Sequence, residues 1–320
     1  MKKITALLLA LFMLVGVLAG CGKQNDTNQT DKLSIVTTIF PEYDWVREIL
    51  GDKADNAEIT MLLDNGVDLH SYQPTADDIV KISDCDLFIY VGGESDEWVE
   101  DALRNAANRN MKVINLLEVL GDSVKTEEIV EGMQEEEHEH EEEADEHVWL
   151  SLKNAKMLVR VISKALQELD PDNKDIYAAN ADAYVKKLSA LDAEYQAAVD
   201  AASNKTILFG DRFPFRYLVD DYGLRYYAAF VGCSAETEAG FETISFLAKR
   251  VDEWKLPCVL TIEGAQHKIA ETVVRNTTAK NQRVLTMDSM QSTTSKDVKN
   301  GTTYLSVMEK NLSVLKEVLR

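Results

Sequence analysis

Five histidines occur in this 320-residue chain, and three of them, His138, His140 and His147, fall in the run EEEHEHEEEADEHVWL at 135–150. Imidazole nitrogen interleaved with carboxylate oxygen is donor chemistry for a divalent cation, and such tracts bind metal weakly even without an ordered structure. His70 stands in a turn-rich stretch, DNGVDLHSYQPTADD at 64–78, directly after an apolar run. Carboxylates recur in the same setting: Glu236 and Glu238 in CSAETEAG, Glu263 at the end of PCVLTIE, and Asp288 at the end of QRVLTMD. Two neutral imidazoles with one or two carboxylates suit Zn²⁺ or Mn²⁺. No local motif of the HExxH kind is present, so a site has to be assembled from distant parts of the chain. His267, in GAQHKIAETVV, falls in a predicted helix and reads as a surface residue.

The elements that must do the assembling are short apolar runs alternating with helical patterns. LSIVTTIF (33–40), EITMLL (58–63), DLFIYVGG (86–93) and KVINLL (112–117) form one set. KTILFG (205–210), LRYYAAFVG (224–232), PCVLTIE (257–263) and QRVLTMD (282–288) form a second. Continuous apolar strands separated by helices imply parallel sheets covered on both faces. In open sheets of this kind ligands bind beyond the carboxyl ends of the strands, which is where His70, His147 and the four carboxylates are predicted to lie. Between the sets, Tyr177, Tyr184, Leu188, Leu191 and Tyr195 share one helical stripe. Asp170 can cap that helix and Pro171 suits its first turn. A helix of about 30 residues spans roughly 45 Å, enough to cross both lobes and limit hinge motion. The chain closes on an amphipathic helix with Leu305, Met308, Leu312, Leu315 and Leu319 on one face. The expected fold is therefore α/β: two doubly wound parallel-sheet lobes, 33–170 and 203–320, bridged by one long rigid helix over 171–202, with a metal cleft between the lobes.

Composition narrows the partners. The net charge is −21, and the twelve acids of 127–146, with no Lys or Arg among them, account for more than half of it. No basic face is available for nucleic acid. The segment 123–146 is expected to be a solvated, mutually repelling loop that concentrates ions near the cleft. At the other end, MKKITALLLALFMLVGVLAGC has two lysines, an apolar run too short for a membrane span and small residues before Cys21, as in a secretory signal peptide over 1–20. Leu18-Ala19-Gly20-Cys21 resembles the bacterial lipobox, which implies lipidation at Cys21, a flexible tether over 21–32 and attachment to the outer face of the cell membrane. Cys85, Cys233 and Cys258 remain, without CxxC spacing, so no thiolate zinc site is indicated. Cys85 and Cys258 read as small buried residues at strand starts, and a Cys233–Cys258 bridge is one option.

DNGVDLHSYQPTADDIVKISDCDLFIYVGG resembles the motif G-x-D-P-H-x-Y-x-P-T of the zinc and manganese solute-binding proteins of ABC importers, and DEHVWLSLKNA resembles their D-x-H-x-W-L-D-P. The likeness extends through RFPFRYLVDDYGL, SAETEAG and TYLSVMEKNL, in order, over nearly the whole mature chain. It implies a lipid-anchored, monomeric binding protein, not an enzyme, that hands a divalent ion to a membrane permease and its ATPase. His70 and His147 match the family's first two ligands. Leu69 stands where the family has Pro, and Ser151-Leu152 where it often has Asp-Pro. A third histidine of many zinc members is missing: in ILFGDRFPFRY, Gly210 takes its position. Manganese-type relatives use a glutamate and an aspartate that match Glu236 and Asp288. The resemblance thus implies the ligand set His70, His147, Glu236 and Asp288, with Asp211 and Glu263 in reserve. The histidine-bearing acidic tract favours Zn²⁺ over Mn²⁺ as cargo. A zinc hydrolase with Glu263 as base, or a metal-stabilised adhesin, are the competing functions. A hydrolase requires an open coordination position, and metal-dependent growth separates transport from adhesion.

Overall fold

The computed structural model describes residues 32–134, 143–234, 238–264 and 267–320. The signal-peptide and lipidation readings, His138, His140 and Glu236 lie outside these residues.

All eight apolar runs contain a strand. In the first half, β1 (Leu33–Thr37), α1 (Phe40–Leu50), β2 (Ala57–Met61), α2 (Ala76–Asp84), β3 (Leu87–Tyr90), α3 (Trp98–Arg104), β4 (Lys112–Asn115) and α4 (Leu116–Leu120) alternate. Their four strands form one parallel sheet of order β2-β1-β3-β4. Two helices follow, α5 (Leu152–Leu169) and α6 (Lys174–Asp200). The second half runs β5 (Thr206–Leu208), β6 (Arg212–Phe213), α7 (Arg216–Tyr222), β7 (Arg225–Tyr227), β8 (Phe230–Val231), α8 (Phe241–Trp254), β9 (Cys258–Thr261), α9 (Lys268–Asn276), β10 (Arg283–Thr286), α10 (Ser295–Lys299) and α11 (Tyr304–Val318). Here β5 pairs with β7, and β9 with β10, all parallel. A parallel bridge at Phe209–Leu260 stitches the two pairs together, so the order β7-β5-β9-β10 repeats the plan of the first sheet. The two-residue strands β6 and β8 also pair in parallel. Strand β6 was not foreseen: two residues carry too little periodicity to be read.

The bridging helix is α6, 27 residues long and about 40 Å at 1.5 Å per residue. It is preceded by a 3₁₀ turn, Pro171–Asn173, so the regular helix starts three residues later than the proline suggested. Asp170 accepts from Asn173 Nδ2 and the Tyr177 hydroxyl, which fixes that entry. All five stripe residues, Tyr177, Tyr184, Leu188, Leu191 and Tyr195, are buried. They belong to one hydrophobic core that reaches from Ile35 to Leu319 and includes α1, α5 and α11. Tyr195 donates to the Met308 carbonyl at 2.7 Å, and Trp45 meets Tyr304 edge to face. A core that draws on both sheets and on α1, α5, α6 and α11 resists wide hinge opening, because separation would expose aromatic surface worth about 25 cal/mol per Å².

Candidate metal centre

His70 comes out of the loop that follows β2. Asp68 caps a single 3₁₀ turn, Leu69–Ser71, by accepting from the His70 N–H, and buried Leu69 anchors that turn to the core. Leu69 therefore does the anchoring at the position where the family has proline. Farther on, Thr75 and Asp78 form a reciprocal capping box at the start of α2, and Asp78 also accepts from Tyr72. His147 leads into the 3₁₀ turn Val148–Leu150 and then α5, which Ser151 caps as expected by accepting from the Asn154 N–H. This loop is pinned from the second half: Trp149 Nε1 donates to Ser289 O, and the Tyr217 hydroxyl donates to Asp145 O.

The two imidazoles meet with Nε2 atoms 3.2 Å apart. Two nitrogens each about 2.0 Å from one tetrahedral zinc ion stand about 3.3 Å apart, so the spacing is that of two ligands of one ion. Each ring is held from behind through Nδ1. His147 Nδ1 donates to Asp145 Oδ1 at 2.9 Å, and His70 Nδ1 lies 2.8 Å from Ser95 Oγ and 3.5 Å from Glu146 Oε2. A carboxylate behind a ligating imidazole fixes the ring and its tautomer and raises its basicity.

The rings differ electrostatically. Burial, the neighbouring His147 and Arg212 push the His70 imidazole down to about 3, against the pull of Asp68. Burial also works against a charge on His147, but Asp145, Glu146 and Glu127 outweigh it and hold that imidazole above its ordinary value. Of the two rings, His147 is therefore the one whose protonated form the surroundings favour. Gln291, with its amide oriented to satisfy both ends, donates to the two oxygens of Asp68 and accepts from His147 Nε2 at 2.8 Å. An ion taken by both Nε2 atoms must displace that proton.

A third side chain of donor chemistry, Cys233, lies close to the pair. Its Sγ and the two ring nitrogens lie within 4.8 Å of one another, the group of His, Cys, Asp and Glu among the described residues with metal-binding spacing. Asp288 is not in this group. Its Oδ1 accepts from Met290 N–H, and burial with Glu263 nearby pushes its carboxyl up to about 6. The reserve Glu263 accepts from Ser289 N–H, Ser289 Oγ and Gln291 N–H. The reserve Asp211 accepts from Arg212 N–H and Ile262 N–H. Gly210 does not face the imidazoles: a Cβ there would stand 2.5 Å from Ala270 Cα, under α9. The residue of that segment that reaches the site is Arg212, which pairs with Asp68 beside His70. His267 sits half-buried at the N-cap of α9.

Several of these residues left a sequence signal that was passed over. Asp145 lies two residues before His147, and Cys233 lies at a strand end like the carboxylates considered. Glu146 lies in the acidic run itself, whereas Ser95, Arg212 and Gln291 left none. The acidic segment also departs from expectation, because its flanks are ordered: Thr126 bridges Ala144 antiparallel, Gln134 N–H donates to Ala229 O, and Glu131 pairs with Arg250. Cys85, Cys233 and Cys258 are all free thiols, so the Cys233–Cys258 bridge is not formed. Cys85 and Cys258 are buried, Cys85 just ahead of β3 and Cys258 at the first position of β9, as expected.

A parallel α/β fold with a long bridging helix and two converging imidazoles defines a metal-binding class of α/β protein, and comparison with known proteins gives the family. Residues 35–318 match the family model described as zinc-uptake complex component A, periplasmic, and the chain belongs to this ZnuA family of solute-binding transport proteins. It is 34% identical over 324 residues to the zinc-binding lipoprotein AdcA of Streptococcus pneumoniae, covering 99% of this chain and 61% of that protein. It is 30% identical over 322 residues to the high-affinity zinc uptake system protein ZnuA of Bacillus subtilis, covering 97% and 95%. The chain thus spans about 60% of the length of the AdcA relatives. Among solved structures it is similar to the Zn(II)-bound ZnuA-like domain of Streptococcus pneumoniae AdcA, with a TM-score of 0.70, 31% identity and coverage of 90% and 99%. It is likewise similar to the metal-dependent lipoprotein YcdH of Bacillus subtilis, with a TM-score of 0.72, 27% identity and coverage of 90% and 99%.

Proposed function

We propose that this protein captures Zn²⁺ outside the cell between His70 and His147 and delivers it to the permease of an ABC importer driven by its ATPase. The observation that carries the reading is the 3.2 Å pair of Nε2 atoms, each ring held from behind by a polar partner. Binding and release are the whole of the chemistry: the ion is cargo and leaves the site unchanged. The names of the relatives, zinc-binding lipoprotein and zinc uptake protein, agree with zinc as the cargo. The same reading includes lobes over 33–170 and 203–320 joined through 171–202, a monomer, and a lipid at Cys21 that keeps the protein at the outer face of the membrane. Carboxylates strengthen the cation preference of the cleft, since Glu127, Asp145 and Glu146 all lie beside His147.

Competitive titration of the protein with Zn²⁺ and Mn²⁺, together with growth of a deletion strain on limiting zinc, tests the proposal. One zinc per chain, preferred over manganese, and growth restored by added zinc are expected. A protein that binds neither ion, or a deletion strain indifferent to zinc, would refute it.

A further inference from the structure

We propose that Cys233 Sγ is a third protein ligand of the ion held by His70 and His147, as thiolate, so that the site is an N₂S centre selective for zinc. The proposal rests on the reading of His70 and His147 as ligands.

Three independent features put the sulfur there. The first is distance: Sγ and the ring nitrogens already lie within 4.8 Å of one another. With Zn–S near 2.3 Å and Zn–N near 2.0 Å, tetrahedral ligation needs S···N separations of about 3.5 Å, a closure of about 1 Å on one loop. The second is the glycine before it. A Cβ at Gly232 would stand 2.9 Å from His147 Cε1 and 3.0 Å from Phe213 O, so only glycine lets the chain pass flush against the imidazole and present the next side chain beside it. The third is a strap. Arg212 pairs through Nη2 with Asp68, whose carboxylate caps the His70 turn, and donates through Nη1 to Ser234 O, next to Cys233, at 3.3 Å. One guanidinium therefore fixes the cysteine loop to the histidine loop. Glu127 holds the same loop by accepting from the Cys233 N–H at 2.9 Å, and burial together with Glu127, Asp145 and Glu146 holds the thiol well above its ordinary value, so the ion has to displace a firmly held proton.

The competing donors are already engaged. Both oxygens of Asp211 and both of Glu263 accept backbone N–H groups. Glu146 stands on the Nδ1 side of His70, behind the ring. On ligation the Sγ–H bond breaks, the Sγ–Zn bond forms and the proton leaves to solvent. Soft thiolate widens the preference for zinc over manganese that the two imidazoles already give. Cys233 is thus a specificity-determining residue.

The test uses Co²⁺ as a spectroscopic substitute in the wild type, Cys233→Ala, His70→Ala and, as a control, Cys85→Ser. A near-ultraviolet sulfur-to-cobalt charge-transfer band is expected in the wild type and Cys85→Ser and absent in Cys233→Ala. Zinc affinity should fall at least tenfold in Cys233→Ala, with manganese affinity little changed. Protection of Cys233 alone from alkylation by added zinc in the wild type gives the same answer without a variant. Cobalt or zinc bound with no sulfur band, or with Cys233 unprotected, overturns the thiolate while leaving the histidine pair standing if His70→Ala abolishes binding. A wild type that binds neither ion overturns both readings.

Discussion

The two sides of the cleft both carry polar residues on loops, after β2 and ahead of α5 on one side and after β5, β9 and β10 on the other, yet use them differently. On the first side, His70 and His147 spend Nδ1 on local partners and leave both Nε2 atoms facing one point. On the second, Asp211 and Glu263 spend both oxygens on backbone N–H groups of their own and neighbouring loops. Imidazole has two nitrogens on opposite sides of a ring, so one can be held while the other binds. A carboxylate closing a tight loop has little left over. Position in a loop therefore marks a candidate, and what distinguishes the imidazoles is that their Nε2 atoms converge while Nδ1 is held.

Substitutions on the two sides should separate cleanly. Replacing His147 or His70 by Ala removes a ligand and should weaken zinc binding by 100-fold or more, whereas Asp288→Asn should stay within about threefold. Chelator-competition titration measures both, and a large loss in Asp288→Asn would break the distinction. Glu263→Ala should act on stability instead: three hydrogen bonds to a carboxylate are lost, and about 3 kcal/mol is expected in denaturant unfolding, with zinc affinity spared. Asp145→Asn keeps the fold but weakens the hold on His147, and a 10- to 100-fold loss of affinity is expected for a residue behind a ligand.

Much of this was legible beforehand. Every apolar run became a strand segment, the Tyr177–Tyr195 stripe became the bridging helix, and His70 and His147 met from opposite ends of the first half. The second side was less legible for a physical reason. Whether Asp288 or Cys233 approaches the imidazoles depends on how loops of a few residues fold back, and no periodicity encodes that. Family resemblance put Gly210 at the position of the third histidine, but the chain after β5 turns that residue toward Ala270 and brings Arg212 to Asp68 instead. Cys233 carries no CxxC signature, because the nitrogens near it come from histidines on other loops.

Proton counting sharpens the comparison further. His147 is held above its ordinary value and must lose a proton to bind, whereas His70, pushed down to about 3, has none to lose near neutrality. Affinity should therefore begin to fall while pH is still above the ordinary imidazole value of about 6.5, with one proton from the histidine pair and a second from Cys233. Calorimetry in buffers of different ionisation enthalpy should show one proton fewer in Cys233→Ala; an equal count would contradict the thiolate.

The smallest effect is expected at a carboxylate far from the ion. Burial pushes Asp44 up to about 7, against the N–H that Tyr304 donates to it. Between about pH 4 and 7 the folded chain keeps a proton that the unfolded chain releases, so this group lowers stability as pH rises through that window. Asp44→Asn retains an acceptor for Tyr304 and should flatten the fall, raising Tm by a few degrees at pH 8 with no change at pH 4. A Tm lowered at pH 8 would count against the assignment.

The most direct test of the shared-ion geometry is zinc X-ray absorption on the loaded wild type. Two imidazole nitrogens at about 2.0 Å and one sulfur at about 2.3 Å are expected in the first shell, with the imidazole scattering reduced to one ring in His147→Ala. A first shell of oxygen alone, unchanged by that substitution, would contradict it.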